Sequence, residues 1–178
     1  MITVEKGQPA SSEGRTETEL LVYRALNELQ VEFMRADHAP AMTMEDCVAI
    51  GEAIGAPVCK NLFLCNRQMT VFYLLLMPGD KPFKTKDLSA QIGAARLSFA
   101  SAQHMQEYLH TTPGSASVLG LLFDGDRRVN LLIDEDVLAH EMIGAHPCHN
   151  TSTLAFRTED LLETILKHTG HVPHTVKL

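Results

Sequence analysis

The stretch Thr70-Val71-Phe72-Tyr73-Leu74-Leu75-Leu76-Met77 decides the fold of this chain. Every residue after Thr70 is apolar, at odd and at even positions alike. Because successive side chains of a strand point to opposite faces, a strand formed here would be buried on both faces. Pro78-Gly79 then ends the run, since both residues interrupt regular structure. The stretch therefore predicts a central β-strand and not an edge strand.

Helices and further strands are predicted on both sides of this strand. Two upstream helices each begin with a capping box, in which a threonine (Thr16, Thr43) precedes an acidic residue by three positions. The second of these helices ends at Gly55. Further helices are predicted at residues 85–92, 101–110, 136–140 and 158–170, and short strands at residues 31–34, 59–64, 96–99 and 153–156.

A β-hairpin is predicted near residue 125. The apolar runs 119–123 and 129–133 are separated by the turn-forming segment Asp124-Gly125-Asp126. The whole pattern mixes hairpins with helices and lacks a regular alternation of strand and helix. The sequence therefore predicts an α+β fold with a mixed, largely antiparallel sheet and surrounding helices.

Composition limits the class of protein. The chain has 178 residues, 45% of them hydrophobic, which fits a single domain over residues 1–178 with a flexible N-terminus over residues 1–15. No apolar run is long enough to span a membrane, and no secretory signal is recognisable, so a cytoplasmic location is expected. The four cysteines form no disulfide pattern. A formal charge of −7 argues against a protein that coats nucleic acid in general.

The segment 144–153 is rich in polar side chains. It contains two imidazoles (His146, His149), one thiol (Cys148), one amide (Asn150) and three hydroxyls. Such a segment is either a hydrogen-bonded turn or the wall of a site. Its spacing matches no zinc signature, and adjacent residues such as Cys148 and His149 rarely point the same way, as a nucleophile and its base must. Neither a metal nor a cofactor is therefore predicted.

Two groups of lysines have alternative interpretations. Lys60, at the head of an apolar strand, either faces solvent or forms with Asn61 a polar pair at the mouth of a pocket. Lys81, Lys84 and Lys86 form a basic patch that is either solvated surface or a contact for a nucleic-acid backbone.

Five motifs in order resemble the YbaK/prolyl-tRNA synthetase-associated domain family, and within it the free-standing PrdX (ProXp-ala) group. They are Lys60-Asn61-Leu62-Phe63-Leu64, Ile92 to Phe99, Thr112-Pro113-Gly114-Ser115-Ala116-Ser117, Gly120 to Asp124, and His146-Pro147-x-x-Asn150. The resemblance covers about residues 18–175. The chain departs from the family at Val118, where the family's GxxxP segment has proline.

The resemblance implies a trans-editing aminoacyl-tRNA deacylase that hydrolyses the ester of mischarged tRNA, with Ala-tRNA(Pro) as the expected substrate. It assigns the catalytic roles to Lys60, Asn61 and His146, with no metal and no cofactor. The expected substrate-binding residues are Gly114, Ser115, Ser117, Arg96 and Asn150. The implied partner is the acceptor end of aminoacylated tRNA, with prolyl-tRNA synthetase as a candidate protein partner, and the chain is expected to be a monomer or a weak dimer.

Three alternatives stay open at this point. The first is the sister activity on Cys-tRNA(Pro). The second is a non-catalytic module of the same fold that binds tRNA or a synthetase. The third is a metal-dependent hydrolase, which the histidines of segment 144–153 would have to support.

Overall fold

The computed structural model describes residues 1–178 and contains two β-sheets. In chain order the strands are β1 (Thr3–Lys6), β2 (Met34–Asp37), β3 (Cys59–Cys65), β4 (Phe72–Pro78), β5 (Ser98–Phe99), β6 (Val129–Asp134), β7 (Met142–Ala145), β8 (Ser152–Arg157) and β9 (His174–Val176). One sheet has the order β1-β2-β8-β7 and is antiparallel throughout. The other has the order β5-β3-β4-β6-β9 and is mixed, with β6 parallel to both of its neighbours.

The helices lie between and beside these strands. They are α1 (Glu17–Glu28), α2 (Met44–Ile54), α3 (Thr85–Ile92), α4 (Ala102–Leu109), a 3₁₀ helix (Val118–Phe123), α5 (Glu135–Leu138), α6 (Thr158–Asp160), a π-helical segment (Leu161–Ile165) and α7 (Leu166–Thr169). The predicted capping boxes at Thr16 and Thr43 are both confirmed, as is the left-handed cap at Gly55. None of these helices is both long enough and apolar enough to cross a membrane. The predicted α+β class, mixed and largely antiparallel, is confirmed, with the strands divided between two sheets.

The predicted central strand is confirmed as β4, the middle strand of the mixed sheet. Leu74 and Leu76 belong to the main hydrophobic core, which also contains Phe156 of β8. Leu75 and Met77 point the other way, into a second core that contains Leu88 of α3. Since this strand carries a hydrophobic core on each face, every position needs an apolar side chain.

The predicted hairpin over residues 119–133 is wrong. Its first half forms the 3₁₀ helix, and β6 pairs in parallel with β4 instead of turning back on residues 119–123. Gly120 packs against Leu109 so closely that a Cβ there would lie 2.8 Å from the Leu109 carbonyl oxygen. The Asp124 carboxylate accepts hydrogen bonds from the backbone N–H groups of Arg128 and Val129, at 3.0 and 2.8 Å. An apolar run of this length fits a buried helix as well as a strand, so tertiary packing decided between them.

The N-terminal segment is partly built into the antiparallel sheet. Strand β1 pairs with β2 along Thr3–Lys6, and the Arg15 guanidinium donates two hydrogen bonds to the Asp37 carboxylate, at 2.6 and 2.7 Å. The sequence predicts a flexible N-terminus over residues 1–15. For the residues of this segment that make none of these contacts, flexibility stays a prediction. Strands β1, β7 and β9 were not predicted.

Candidate functional site

The loop between β7 and β8 carries His146 into the space between the two sheets. Pro147 and Cys148 are buried, and Cys148 adopts a left-handed backbone conformation (φ 62°), which turns the chain sharply. The backbone carbonyl of His146 accepts a hydrogen bond from Ser117 Oγ at 2.6 Å. The loop is therefore held in place by a residue of the predicted Gly114 segment.

The geometry of the His146 ring leaves one nitrogen free. Nδ1 lies 2.7 Å from the carbonyl oxygen of Ser152. Because a carbonyl can only accept, Nδ1 carries the proton, and the neutral ring has its lone pair on Nε2. Nε2 has no hydrogen-bond partner within the protein. The only side-chain polar atom that is both buried and without a partner is Thr111 Oγ1, so Nε2 of His146 is not buried and reaches solvent. Burial lowers the pKa of His146, which favours the neutral ring.

Asn61 links β3 to the same loop. Its side-chain oxygen accepts a hydrogen bond from the backbone N–H of Val118 at 2.7 Å, and its side-chain nitrogen donates to the Cys59 carbonyl at 3.3 Å. Ser117, next to Val118, holds His146. Two consecutive hydrogen bonds therefore connect Asn61, the segment Ser117–Val118 and the His146 loop. A proline at position 118 could not donate the first of them.

The Asn61 bond can be tested by a double-mutant cycle. Asn61→Ala leaves the Val118 N–H without an acceptor, and we expect the free energy of unfolding to fall by about 1–3 kcal/mol. In a Val118→Pro background the donor is absent, so Asn61→Ala should cost about 1 kcal/mol less. Urea unfolding of the four proteins measures this coupling. Strictly additive effects would show that the Asn61 bond to Val118 contributes no stability.

Lys60 lies on the opposite face of β3 from Asn61. Its ammonium group donates to the backbone carbonyl of Lys81 at 2.7 Å, and no carboxylate pairs with it. The positive charge of Lys60 is therefore uncompensated. Lys81, by contrast, is paired with the buried Asp134 and with Asp136, at 2.8 and 2.7 Å, so its charge is already neutralised. Of the predicted basic patch, Lys84 and Lys86 stay exposed.

The Gly114 loop and Asn150 are brought together. Gly114 has a φ of 87°, and a Cβ at this position would lie 3.6 Å from Asn150 Nδ2. The Asn150 amide forms two hydrogen bonds with the backbone of Ala41, accepting from its N–H and donating to its carbonyl, both at 3.0 Å. Asn150 thus ties the start of α2 to the His146 loop. Ser115 is buried, and its backbone N–H donates to the Thr112 carbonyl.

Arg96 is not brought to this group. It is exposed and precedes β5, which pairs with β3 at Leu64 and Cys65. Lys60 lies at the other end of β3, about 16 Å along the strand from Cys65, the residue that pairs with Ser98. The structure therefore gathers Asn61, the segment 114–118, His146 and Asn150, with Lys60 on the opposite face of β3 and Arg96 outside.

A largely apolar cavity of about 430 Å³ has Cys59, the residue before Lys60, in its lining, whereas His146, Asn61 and Asn150 do not line it. Its walls are α2, the segment 55–59 and the segment 78–80, with Val137 and His140 completing the lining. Gly144, two residues before His146, donates to the Pro57 carbonyl at 2.8 Å, which fixes one wall to β7. The carbonyl that holds Lys60 belongs to Lys81, the residue after the lining residue Asp80. Lys60 is therefore adjacent in sequence to one lining residue, Cys59, and hydrogen-bonded to the neighbour of another, Asp80.

The site contains no activated thiol. Burial raises the pKa of Cys59 to about 12, and burial also raises the pKa of the Cys148 thiol far above its usual range. Both thiols are therefore protonated at neutral pH. No group of three or more His, Cys, Asp and Glu side chains is arranged to hold a metal ion. What the site offers is hydrogen bonding: an imidazole acceptor, amide groups and one free ammonium group.

Sequence reasoning missed two polar residues beside His146. His38 follows β2, and its Nε2 lies 2.9 Å from the hydroxyl of Thr153 in β8. The Thr153 hydroxyl in turn lies 3.3 Å from His146 Nδ1. A single histidine before Ala39-Pro40 and a threonine in a short strand carry no functional signal of their own in the sequence.

Comparisons with known proteins concern the sequence and the fold. The sequence profile of the aminoacyl-tRNA editing domain matches residues 38–164. The prolyl-tRNA editing protein ProX of Acetoanaerobium sticklandii is 31% identical over 157 residues, which cover 88% of this chain and 95% of that protein. A prolyl-tRNA synthetase associated domain-containing protein 1 of Mus musculus is 30% identical over 168 residues, covering 92% of this chain and 96% of that protein.

The fold is also shared with solved structures. One crystal structure, described as that of a proposed trans-editing enzyme for prolyl-tRNA synthetase, superposes with a TM-score of 0.68 at 17% sequence identity. The superposition covers 92% of this chain and 98% of that one. At this level of identity the likeness concerns the fold alone.

Proposed function

Because this chain belongs to the aminoacyl-tRNA editing domain family, we propose that it is a trans-editing deacylase with Ala-tRNA(Pro) as its substrate. The observation that carries the proposal is the free Nε2 of His146, which is linked through Ser117 and Val118 to Asn61, with no activated thiol and no metal ligand set nearby. Such a site suits the hydrolysis of an ester by a positioned water. Prolyl-tRNA editing in the relative ProX, as its name states, supports the same choice.

The reaction needs few groups from the protein. The oxygen of a water attacks the ester carbonyl carbon, the bond from that carbon to the ribose oxygen breaks, and the released oxygen takes a proton. His146 Nε2 is an acceptor that can hold the water or a ribose hydroxyl by a hydrogen bond. The Asn61 side-chain nitrogen is a donor that can orient the aminoacyl group. Donors fixed beforehand in this way lower the barrier because they need no rearrangement during the reaction.

Lys60 supplies the positive charge in this proposal. Its ammonium binds a backbone carbonyl and no carboxylate, so it can move to a phosphate or to the developing oxyanion without breaking an ion pair. A four-carbon stem gives the group the necessary reach. The formal charge of −7 limits contact with tRNA to the acceptor end, to which Lys60 contributes a cation that no carboxylate pairs with.

Selection for alanine is an energetic problem that a second site can solve. A synthetase pocket built for proline gains only about 1–3 kcal/mol per methylene, which is too little to exclude a smaller amino acid. A cavity that accepts alanine and excludes proline then removes the error. The lining of the 430 Å³ cavity is formed largely by α2 and its neighbours, so those residues set its size.

The proposal is tested by incubating the purified protein with three substrates, Ala-tRNA(Pro), Cys-tRNA(Pro) and Pro-tRNA(Pro). We expect hydrolysis of the alanine ester and little effect on the proline ester. Preference for the cysteine ester would reassign the substrate. Binding of tRNA without hydrolysis of any ester would overturn the proposed enzymatic activity and favour a binding module. Loss of activity with a chelator would favour the metal-dependent alternative.

The pH dependence follows from the lowered pKa of His146. Burial lowers this pKa below its usual value of 6.5, and the neighbouring His38 and His149 lower it further, against the hydrogen bond to Ser152. Since the neutral ring is the form with a free Nε2, kcat/KM should stay constant as the pH falls to 6.5 and decline only below it. Uncatalysed ester hydrolysis is subtracted at each pH. The exposed His168→Ala is the control, and a midpoint above 6.5 would contradict the assignment.

A further inference from the structure

Two residues outside the predicted site flank the imidazole of His146. The rings of His38 and His146 lie 6.1 Å apart between centroids, tilted by 50°. The hydroxyl of Thr153 lies between them, 2.9 Å from His38 Nε2 and 3.3 Å from His146 Nδ1. Thr153 is fully buried, with 0% of its surface exposed. Water therefore cannot replace its hydroxyl in these contacts.

The proton positions in this group follow from the two backbone carbonyls. His38 Nδ1 lies 2.7 Å from the Ala39 carbonyl, so it carries a proton, and neutral His38 can only accept at Nε2. The Thr153 hydroxyl must then donate to His38 Nε2. Its oxygen keeps only lone pairs for His146. A proton on His146 Nδ1 satisfies both the Thr153 oxygen and the Ser152 carbonyl, at 3.3 and 2.7 Å.

The other tautomer of His146 would meet repulsion from two sides. With its proton on Nε2, the ring would direct the Nδ1 lone pair at the carbonyl oxygen of Ser152 and at the oxygen of Thr153. The Ser152 backbone cannot easily move away, because the Ser152 hydroxyl donates to Asp37 at 2.8 Å and accepts from Arg15 at 2.8 Å. Thr153 cannot turn its proton towards His146 without leaving His38 Nε2 unpaired.

We propose that Thr153 and His38 are positioning residues that act together with the Ser152 carbonyl to hold His146 in the tautomer with its proton on Nδ1, so that Nε2 presents its lone pair to the substrate. The effect of Thr153 and His38 on the tautomer is a property of the free protein. Their effect on turnover rests on the deacylase function proposed above. Neither residue needs to touch the substrate. Their role resembles that of the carboxylate in a Ser-His-Asp triad, which fixes the tautomer of the adjacent histidine.

The test compares Thr153→Val, which has nearly the same shape but no hydroxyl, with Thr153→Ser, which keeps the hydroxyl. Protein labelled with ¹⁵N at histidine reports the tautomer of His146 from its two ring nitrogen shifts in the free state, with His146→Gln identifying the signals. We expect the Nδ1-protonated form in the wild type, a mixture in Thr153→Val and in His38→Phe, and recovery in Thr153→Ser. An Nε2-protonated ring in the wild type, or an unchanged spectrum in a folded Thr153→Val, would overturn the proposal.

Turnover provides the second measurement. Thr153→Val and His38→Phe should lower kcat roughly tenfold or more, within the about 10⁴-fold loss that a wrong tautomer causes in a Ser-His-Asp triad, while Thr153→Ser stays near wild type. The two failures are distinguishable. A wild type that hydrolyses no ester but shows the expected tautomer shifts refutes the deacylase and leaves the positioning role supported. An active enzyme in which the tautomer of His146 does not change in Thr153→Val refutes the positioning role alone.

Discussion

A Lys60→Ala variant is expected to lose at least roughly 100-fold in deacylase activity while keeping its fold. The loss follows because Lys60 carries a charge that no carboxylate compensates, and removing one electrostatic contact to a transition state costs about 10²–10³-fold. Its only side-chain hydrogen bond goes to the backbone carbonyl of Lys81 in a partly buried position, and no ion pair is lost, so stability should change little. Single-turnover hydrolysis of Ala-tRNA(Pro) measures the first effect, and urea unfolding measures the second.

Two further variants make this experiment specific. Lys84→Ala removes an exposed lysine of the same region and should keep nearly full activity. Lys60→Arg keeps the charge but changes its shape, and partial activity is expected because guanidinium and ammonium groups differ in geometry. Wild-type turnover in Lys60→Ala would remove Lys60 from the site. Equal losses in Lys60→Ala and Lys84→Ala would indicate general attraction of tRNA instead.

The largest loss of stability is expected from Asp124→Ala. The Asp124 carboxylate is buried, accepts hydrogen bonds from the backbone of Arg128 and Val129, and lies 3.0 Å from Nε2 of the buried His171. Removing it leaves these donors without an acceptor, which for a buried polar network costs about 3–5 kcal/mol. The midpoint of urea unfolding should fall accordingly, with an unchanged slope if the compactness of the two states is unchanged.

A neighbouring aspartate provides the matched control. Asp126 is exposed in the same turn, and Asp126→Ala should change the free energy of unfolding by no more than about 0.5 kcal/mol. A loss below about 1 kcal/mol in Asp124→Ala would contradict the importance of the network for joining the 3₁₀ helix, β6 and the C-terminal segment.

The parts of the fold that were predictable are those governed by local chemistry. The capping boxes at Thr16 and Thr43 satisfy backbone donors within one turn, so their signal lies within four residues. The burial of the stretch 70–77 can be predicted from its composition alone. The hairpin prediction was wrong because an apolar run such as residues 119–123 fits a buried strand and a buried helix equally well. The choice between them depends on packing against Leu109, which precedes the run by ten positions.

The site was predictable only where a family motif marks a residue. Composition could not separate His146 from His149 or Cys148, and the resemblance singled out His146. Alternation along a strand already predicts that Lys60 and Asn61 lie on opposite faces of β3, but neither source of information could show that β5, which follows Arg96, pairs with the end of β3 far from Lys60. His38 and Thr153 were invisible because their importance lies in proton positions, which arise only when β2 and β8 pair.

The hydrogen bonds that assemble the site join residues that are remote in the chain. Asn61 and Val118 are 57 positions apart, and Asn150 and Ala41 are 109 positions apart. Contacts of such long range require large loops to close, so they form late compared with helices and neighbouring strands. During refolding, helical structure should therefore return before the arrangement around His146 does. A newly made chain would therefore acquire the arrangement around His146 only when both sheets are complete.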